Sequence, residues 1–241
     1  AAHGPKIFQL YVRGDDAWID DVVRRAADAG YDAFAITVDT AAYSRRERDI
    51  AGRFVKPWRA AATGQSHQAS FSWKNVQHFK ETHSIPLILK GIATAEDAAL
   101  ACEYGVDGVY VSNHGGRQLD HGRGSLDVVP EVLAAVRGRA KVIVDGGFCR
   151  GTDLIKAMAL GVDAVAMGRM YCYALAADAE AGVIKMLELL EHESGVALAL
   201  AGATRLAELN PSYLYRDAPQ VTAPHVHSAF PLLFPTPETP R

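Results

Sequence analysis

The sequence predicts an α/β fold: a TIM-type (β/α)8 barrel, of which this chain carries about six strand–helix units. Three observations predict it. Short β-rich segments alternate with segments of helical period six times, the pattern of a parallel sheet covered by helices. The central strands are near-continuous apolar runs, as strands buried on both faces are. Each strand then exits into polar or glycine residues: Gln9 and Tyr11; Thr37 and Asp39; Lys90; Ser112 and His114; Asp145; Gly168 and Arg169. A barrel places its chemistry at the carboxyl ends of its strands, and a chance scatter of polar side chains would not favour all six exits. No GxGxxG follows the first strand, which weakens a dinucleotide-binding reading.

The elements follow in order. Lys6 to Val12 is β-rich and alternating, so Gln9 and Tyr11 share a face. Asp15 to Ala29 is a helix: Asp15, Asp16, Asp20 and Asp21 suit the positive end of its dipole, Trp18, Ile19, Val22, Val23 and Ala26 form its apolar stripe, and Gly30 ends it. Ala33 to Val38 is a strand. Arg45 to Arg48 is a charged run, and Phe54 to Ser70 is small, polar and aperiodic, a long loop of the kind that is usually functional or disordered. Ser72 to Thr82 is a short helix and Pro86 to Lys90 a strand. Thr94-x-x-Asp97 opens a helix that runs to Tyr104 and stops at Gly105. Strands at Gly108–Ser112, Lys141–Val144 and Ala164–Met167 alternate with helices at Leu126–Val136 and Thr152–Leu160. Ala177 to about Leu209 reads as helical with a break near Gly195. Residues 1–209 are thus expected to be the C-terminal three-quarters of one barrel, and 210–241 a Pro-rich tail, extended or disordered.

Composition bounds the function. The 241 residues are 49% hydrophobic and 22% charged, the balance of an ordinary water-soluble globule. A net charge of −3 offers no basic surface for nucleic acid. Cys102, Cys149 and Cys172 form no CxxC pair, which argues against a disulfide framework or a zinc site and leads us to expect a reducing, cytoplasmic setting. No apolar run reaches the ~18 residues that span a bilayer. The chain opens without Met and enters a strand almost at once, so a start in mid-protein is expected.

The densest chemistry lies in Val111-Ser-Asn-His-Gly-Gly-Arg-Gln-Leu-Asp120, where an apolar strand gives way to a hydroxyl, an amide, an imidazole, a guanidinium and a carboxylate. His114 can move protons near neutral pH. Arg117 can grip a carboxylate by two bonds, and Arg46 could join it, unless it is a solvated charge in its run. Asp39 either orients His114 or caps a turn. Lys90 either snorkels or fixes a positive charge beside something that becomes anionic. Gly168-Arg169, after Asp145-Gly146-Gly147, is where a barrel binds phosphate, or else a turn with a solvated Arg. Tyr11 either donates to a substrate oxygen or belongs to the core.

At these residues the chain resembles the FMN-dependent α-hydroxy-acid oxidases and dehydrogenases, the family of glycolate oxidase, lactate oxidase, mandelate dehydrogenase and flavocytochrome b2. SNHGGRQLD is highly specific, and FQLYV, TVDT, RRE, LKG, DGG-x-x-RGTD and MGR occur in the right order between about Ile7 and Tyr215. The resemblance implies FMN across the barrel mouth. Gln9, Thr37, Lys90 and Ser112 would contact its ring and ribityl chain; Asp145, Gly146, Gly147, Gly168 and Arg169 would hold the ribityl and phosphate. It implies His114 as catalytic base oriented by Asp39, with Lys90 stabilising the reduced flavin. Arg46 and Arg117 would bind the carboxylate of an L-2-hydroxy acid, and Tyr11 its hydroxyl or carboxylate. The product would be a 2-oxo acid, with oxygen or another electron acceptor reoxidising the flavin, in a homo-oligomer that is tetrameric in the family.

Two departures stand out. Two further strands that the family carries before FQLYV are absent, so the chain is expected to be a fragment, or to be completed by another polypeptide, and to bind FMN weakly alone. Cys149 stands where the family often has a phosphate-contacting Arg, and Arg150 is one position off. Tyr43 falls where the family lines the side-chain pocket. A flavin-dependent isomerase on a related barrel and a catalytically incomplete fragment are the alternatives. The His114/Arg117 pair counts against the isomerase, and the intact strand exits count against a non-catalytic remnant.

Overall fold

In a computed structural model, residues 4–42, 44, 50–54, 67–119 and 121–215 are described; Tyr43, Arg46, Asp120 and the Pro-rich residues 216–241 lie outside them. Six strands, β1 (Ile7–Leu10), β2 (Ala33–Thr37), β3 (Leu87–Ile92), β4 (Gly108–Val111), β5 (Lys141–Val144) and β6 (Ala164–Val165), pair in sequence order, all parallel. Sequential parallel pairing needs a crossover between neighbours, and helices supply it: α1 (Asp16–Asp28), the short α2 (His67–Ser70), α3 (Trp73–Thr82), α4 (Ala95–Glu103), α5 (Ser125–Val136) and α6 (Gly151–Leu160), with the long α7 (Arg169–Ala201) last. Among the described residues β1 and β6 are each paired on one side only, so the sheet is an open arc.

Strand alternation sorts the residues into two faces. One packs against the helices: Phe34, Ile36, Leu87, Leu89, Val109, Val111, Val142 and Val144 are buried there, with Val23 of α1, Phe79 of α3, Ala98 of α4 and Val132 of α5. Each large apolar side chain removed from water in this way contributes about 1.5–3 kcal/mol. The other face carries Gln9, Thr37, Lys90, Tyr110 and Asp145 toward the concave side. The helices start where their caps dictate. Asp15 accepts the Trp18 N–H at 3.0 Å and Thr94 accepts the Asp97 N–H at 3.1 Å, satisfying otherwise orphaned donors.

Three expectations need correction. The expected helix over Ala177–Leu209, broken near Gly195, begins instead at Arg169, and its break lies at Asp178–Ala179, where Ala179 has φ 43°. Nothing crowds Gly195, whereas a Cβ on Gly182 would overlap the Ala174 carbonyl; the second segment turns back there against the first. The break is set by that close approach, and Gly202 in the left-handed region closes the helix at Ala201. Short 3-10 turns at Leu206–Glu208 and Pro211–Tyr213 follow, so residues 210–215 are ordered against α6 rather than extended, with Leu214 packed beside Ala159 and Leu209. Finally, His67–Ser70, expected as loop, forms one helical turn.

Asp20 joins α1 to the end of α3. Carboxylates only accept, so His83 Nε2 donates to it at 2.7 Å and His78 Nε2 at 3.1 Å. Burial opposes the Asp20 charge, but the hydrogen bonds from His83 and His78 outweigh it and hold the carboxyl below its usual range. The bond to Asp20 raises His78, against a smaller opposing effect of burial; Asp16 and Glu81 add to the rise. A depressed carboxylate loses its stabilisation as pH falls through its folded value, and a raised histidine loses its own as pH rises through its folded value. The cluster therefore contributes most between the carboxylate range and the ordinary histidine pKa of about 6.5. Urea midpoints should be higher at pH 5.5 than at pH 8.5, and Asp20→Asn should flatten that difference; an unchanged difference would remove the cluster as its cause.

Candidate active site

The strand exits converge at one rim, and the segment after β4 supplies the centre of it. Past Val111 the chain bends through Asn113, and His114, Gly115 and Gly116 all take positive φ, 60°, 67° and 73°. A non-glycine in that region is costly, of order 1–3 kcal/mol, and persists only where its surroundings over-determine it. Here they do. The Ser112 hydroxyl accepts the His114 N–H at 3.2 Å, and the Asn113 side chain accepts the Gly116 N–H at 3.0 Å. The imidazole is gripped at both nitrogens: Nδ1 lies 3.2 Å from Asp39 Oδ2 at the exit of β2, and Nε2 lies 3.1 Å from the Tyr11 hydroxyl just past β1.

This hydrogen-bonded line fixes the roles of its atoms. Asp39 as a carboxylate accepts, so Nδ1 carries a proton and Nε2 presents its lone pair to Tyr11 O–H. Asp39 and His114 side chains retain only 12% and 15% of their exposure, so the pair is sheltered while reachable from the rim. Asp39 is seated by Gly91, where β3 shifts register: at φ 109° a Cβ there would stand 2.7 Å from Asp39 Cβ. The Gln118 amide donates to the Asp39 backbone carbonyl at 2.7 Å from the other side.

Beside this line lies a buried cation. Lys90 is only 8% exposed, so it does not snorkel; Nζ donates to Ser112 Oγ at 2.9 Å and pairs with Asp145 Oδ2 at 3.2 Å. Asp145 Oδ1 is buried with no hydrogen-bond partner. Gln9 Nε2 donates to Thr37 Oγ1 at 2.8 Å, closing the polar row at the β1–β2 end. At the opposite end Gly146 and Gly147 take φ 107° and 85°, and the space at Gly147 is open. Helix α7 opens at Gly168 without a side-chain cap, and Arg169 Nη2 donates to the Gly115 carbonyl at 3.1 Å, so this Arg is anchored rather than merely solvated. Arg150, by contrast, is clamped by Glu193 of α7 at 2.7 Å. Burial, with help from Asp153, pushes the Cys149 thiol up despite Arg169 nearby, so it stays neutral and adds no positive charge.

Arg117 is exposed, with its backbone carbonyl accepting from the Ser44 hydroxyl. Arg46 and Tyr43, expected at the substrate side, lie outside the described residues. The pairing of Asp39 with His114 was anticipated from residue type; the Lys90–Asp145 ion pair and the Tyr11–His114 contact were not. Their signal was weak but present, since Tyr11, Lys90 and Asp145 are the polar residues at strand exits.

A parallel sheet wound in sequence order, with a histidine–carboxylate pair and a buried lysine at one rim, defines an α/β barrel chain with a polar mouth. Residues 1–216 match the family described as FMN-dependent dehydrogenase, and the chain belongs to that family. It is 42% identical to glycolate oxidase 3 of Arabidopsis thaliana over 90% of this chain and 66% of that protein. It is 41% identical to glycolate oxidase of Spinacia oleracea over 90% of this chain and 65% of that one. A crystal structure of mandelate oxidase with 3,3-difluoro-2-hydroxy-3-phenylpropionic acid superposes with a TM-score of 0.78 at 42% identity, covering 86% of this chain and 62% of the other. The chain thus spans about two thirds of these relatives or less, and its six units correspond to part of their TIM barrel. FMN is the family cofactor, and one mandelate oxidase structure holds an FMN adduct.

The residues present fit that group. The buried, unpartnered Asp145 Oδ1 is an acceptor in want of a hydroxyl such as a ribityl chain offers. The uncapped start of α7 beside Arg169 suits a phosphate. No helix among the described residues is long and apolar enough to cross a membrane.

Proposed function

We propose that the chain carries the catalytic mouth of an FMN-dependent oxidase or dehydrogenase that converts an L-2-hydroxy acid to the 2-oxo acid. The observation that supports it most is the line Tyr11–His114–Asp39, a proton acceptor already oriented at the rim. Gln9, Thr37, Lys90 and Ser112 are the residues we assign to the flavin ring and upper ribityl; Asp145, Gly146, Gly147, Gly168 and Arg169 we assign to the lower ribityl and phosphate. When bound, FMN supplies a two-electron acceptor. Asp39 holds Nδ1–H, so once the Tyr11 hydroxyl turns from His114 Nε2 to a substrate oxygen, Nε2 takes the substrate's hydroxyl proton as the carbinol carbon gives up its hydrogen and two electrons. Lys90 keeps a fixed positive charge where anionic charge develops. Arg117 and Arg46 bind the carboxylate, and Tyr11 donates to a substrate oxygen.

The names of the relatives, glycolate oxidase and mandelate oxidase, support a 2-hydroxy acid as the substrate class, with oxygen or another acceptor completing the cycle. A homo-oligomer, a tetramer as the resemblance implies, would cover the exposed Tyr171, Tyr173, Leu175, Ile184 and Leu187 of α7. Three free cysteines suit a reducing compartment such as the cytoplasm. The function is tested by adding glycolate, L-lactate and L-mandelate anaerobically to the protein saturated with FMN. Loss of oxidised-flavin absorbance with at least one of them is expected; no loss with any would overturn the reading.

Among the described residues the outer edges of β1 and β6 are unpaired, which favours a second reading, that these six units are catalytically incomplete until further strands close the barrel. FMN should then wash out on gel filtration. Stoichiometric retained flavin would contradict incompleteness.

A further inference from the structure

Tyr110 belongs to none of the groups assigned above. It sits on β4 opposite Lys90 of β3 and Ile143 of β5, two residues before Ser112 and on the same concave face. The Lys90 ammonium lies over its ring, 4.8 Å from the centroid. We propose that Tyr110 is a positioning residue: its ring is the floor that holds the Lys90 ammonium against Ser112 and Asp145, and so sets where the positive charge at the mouth stands. This rests on the flavin reading only for what that charge acts upon.

Two features of the geometry and one of the electrostatics support it. Lys90 has four side-chain carbons and three ammonium protons, so two partners do not by themselves fix its tip. Ser112 Oγ and Asp145 Oδ2 take two of those protons from the rim side, and the aromatic face, with its negative quadrupole, closes the side below. The site is also nearly dry, with the Lys90 and Asp145 side chains 10% and 16% exposed, and a cation over a ring gains most where water is excluded. In addition, burial first, then the charge of the nearby Asp145 carboxylate, push the Tyr110 phenol far above its usual range. It stays a neutral hydroxyl, so one anion, Asp145, faces one cation, Lys90. An aliphatic residue would fill the space without this attraction, whereas phenylalanine would keep it.

The test compares Tyr110→Phe and Tyr110→Leu with the native protein in two readouts. The first needs no flavin. In protein labelled with 13C at the lysine ε carbon, the Lys90 signal should be shifted upfield by the ring current, should keep that shift in Tyr110→Phe, and should lose it in Tyr110→Leu with sharper, more mobile character. An ordinary, mobile Lys90 signal in the native protein would overturn the proposal whether or not FMN binds. The second is the midpoint potential at saturating FMN. Tyr110→Leu should weaken the preference for reduced over oxidised flavin about tenfold, a shift of about 30 mV to more negative potential for a two-electron couple, with Tyr110→Phe close to native. In a Lys90→Met background Tyr110→Leu should shift nothing further. A shift of the same size without Lys90, or none with it, would overturn the proposal; failure of FMN to bind would count against the flavin reading and leave the lysine signal to decide this one.

Discussion

With His114 replaced by Gln, protein saturated with FMN should be reduced by its 2-hydroxy acid about a hundred- to ten-thousand-fold more slowly, the usual worth of a positioned general base. Glutamine keeps polarity and size at the rim but has no lone pair of imidazole basicity to set against Tyr11, and no Nδ1–H for Asp39. FMN titration should give an affinity within a few-fold of the native protein, because the ring of His114 is held by Tyr11 and Asp39 while Lys90, Ser112 and Asp145 are joined to one another. Stopped-flow absorbance separates the two effects. A rate within threefold of native would remove His114 from the proton-accepting role.

The largest expected effect on stability lies away from the rim. Gly151 begins α6 where it crosses α7. A Cβ there would overlap Ser194 N and stand 2.6 Å from the Glu193 carbonyl carbon, which are backbone atoms that cannot rotate aside. The same contact is sealed by polar bonds: Glu193 accepts the Gly151 N–H at 2.8 Å and clamps Arg150 at 2.7 Å. Gly151→Ala must push the two helices apart and strain or break these bonds. Overpacking costs about 1–3 kcal/mol, occasionally more, and we expect about 3 kcal/mol here. Urea unfolding should show a lower midpoint with an unchanged slope. Stability within about 0.5 kcal/mol of native, the range of an ordinary surface substitution, would contradict this account of the α6–α7 junction.

Much of the fold could be read from the chain because its signals are local. Apolar runs such as Leu87–Leu89 and Val142–Val144 end at single polar residues, and the caps at Asp15 and Thr94 mark helix starts. The break in α7 was not legible. Asp178 and Ala179 carry no glycine or proline, and its cause, the approach of Gly182 to Ala174, exists only once the segment has folded back. The candidate site divides in the same way. His114 and Asp39 could be paired by chemical type, although they lie 75 residues apart. The clamp on Arg150 could not, because Glu193 lies within a helix whose pattern gives no sign of it. Tyr110 was hidden for another reason: inside an apolar run it reads as core, and only the register with Lys90 shows what its ring supports.

The central claim is that Asp39 holds the proton on one nitrogen of His114 so that the other can accept. The tautomer of that single ring, read from long-range nitrogen–proton correlations in 15N-histidine protein near pH 8, tests this directly. The account predicts a proton on Nδ1 and a bare Nε2, with the preference lost in Asp39→Asn. A proton on Nε2 instead, or a spectrum that ignores the loss of the Asp39 charge, would contradict it.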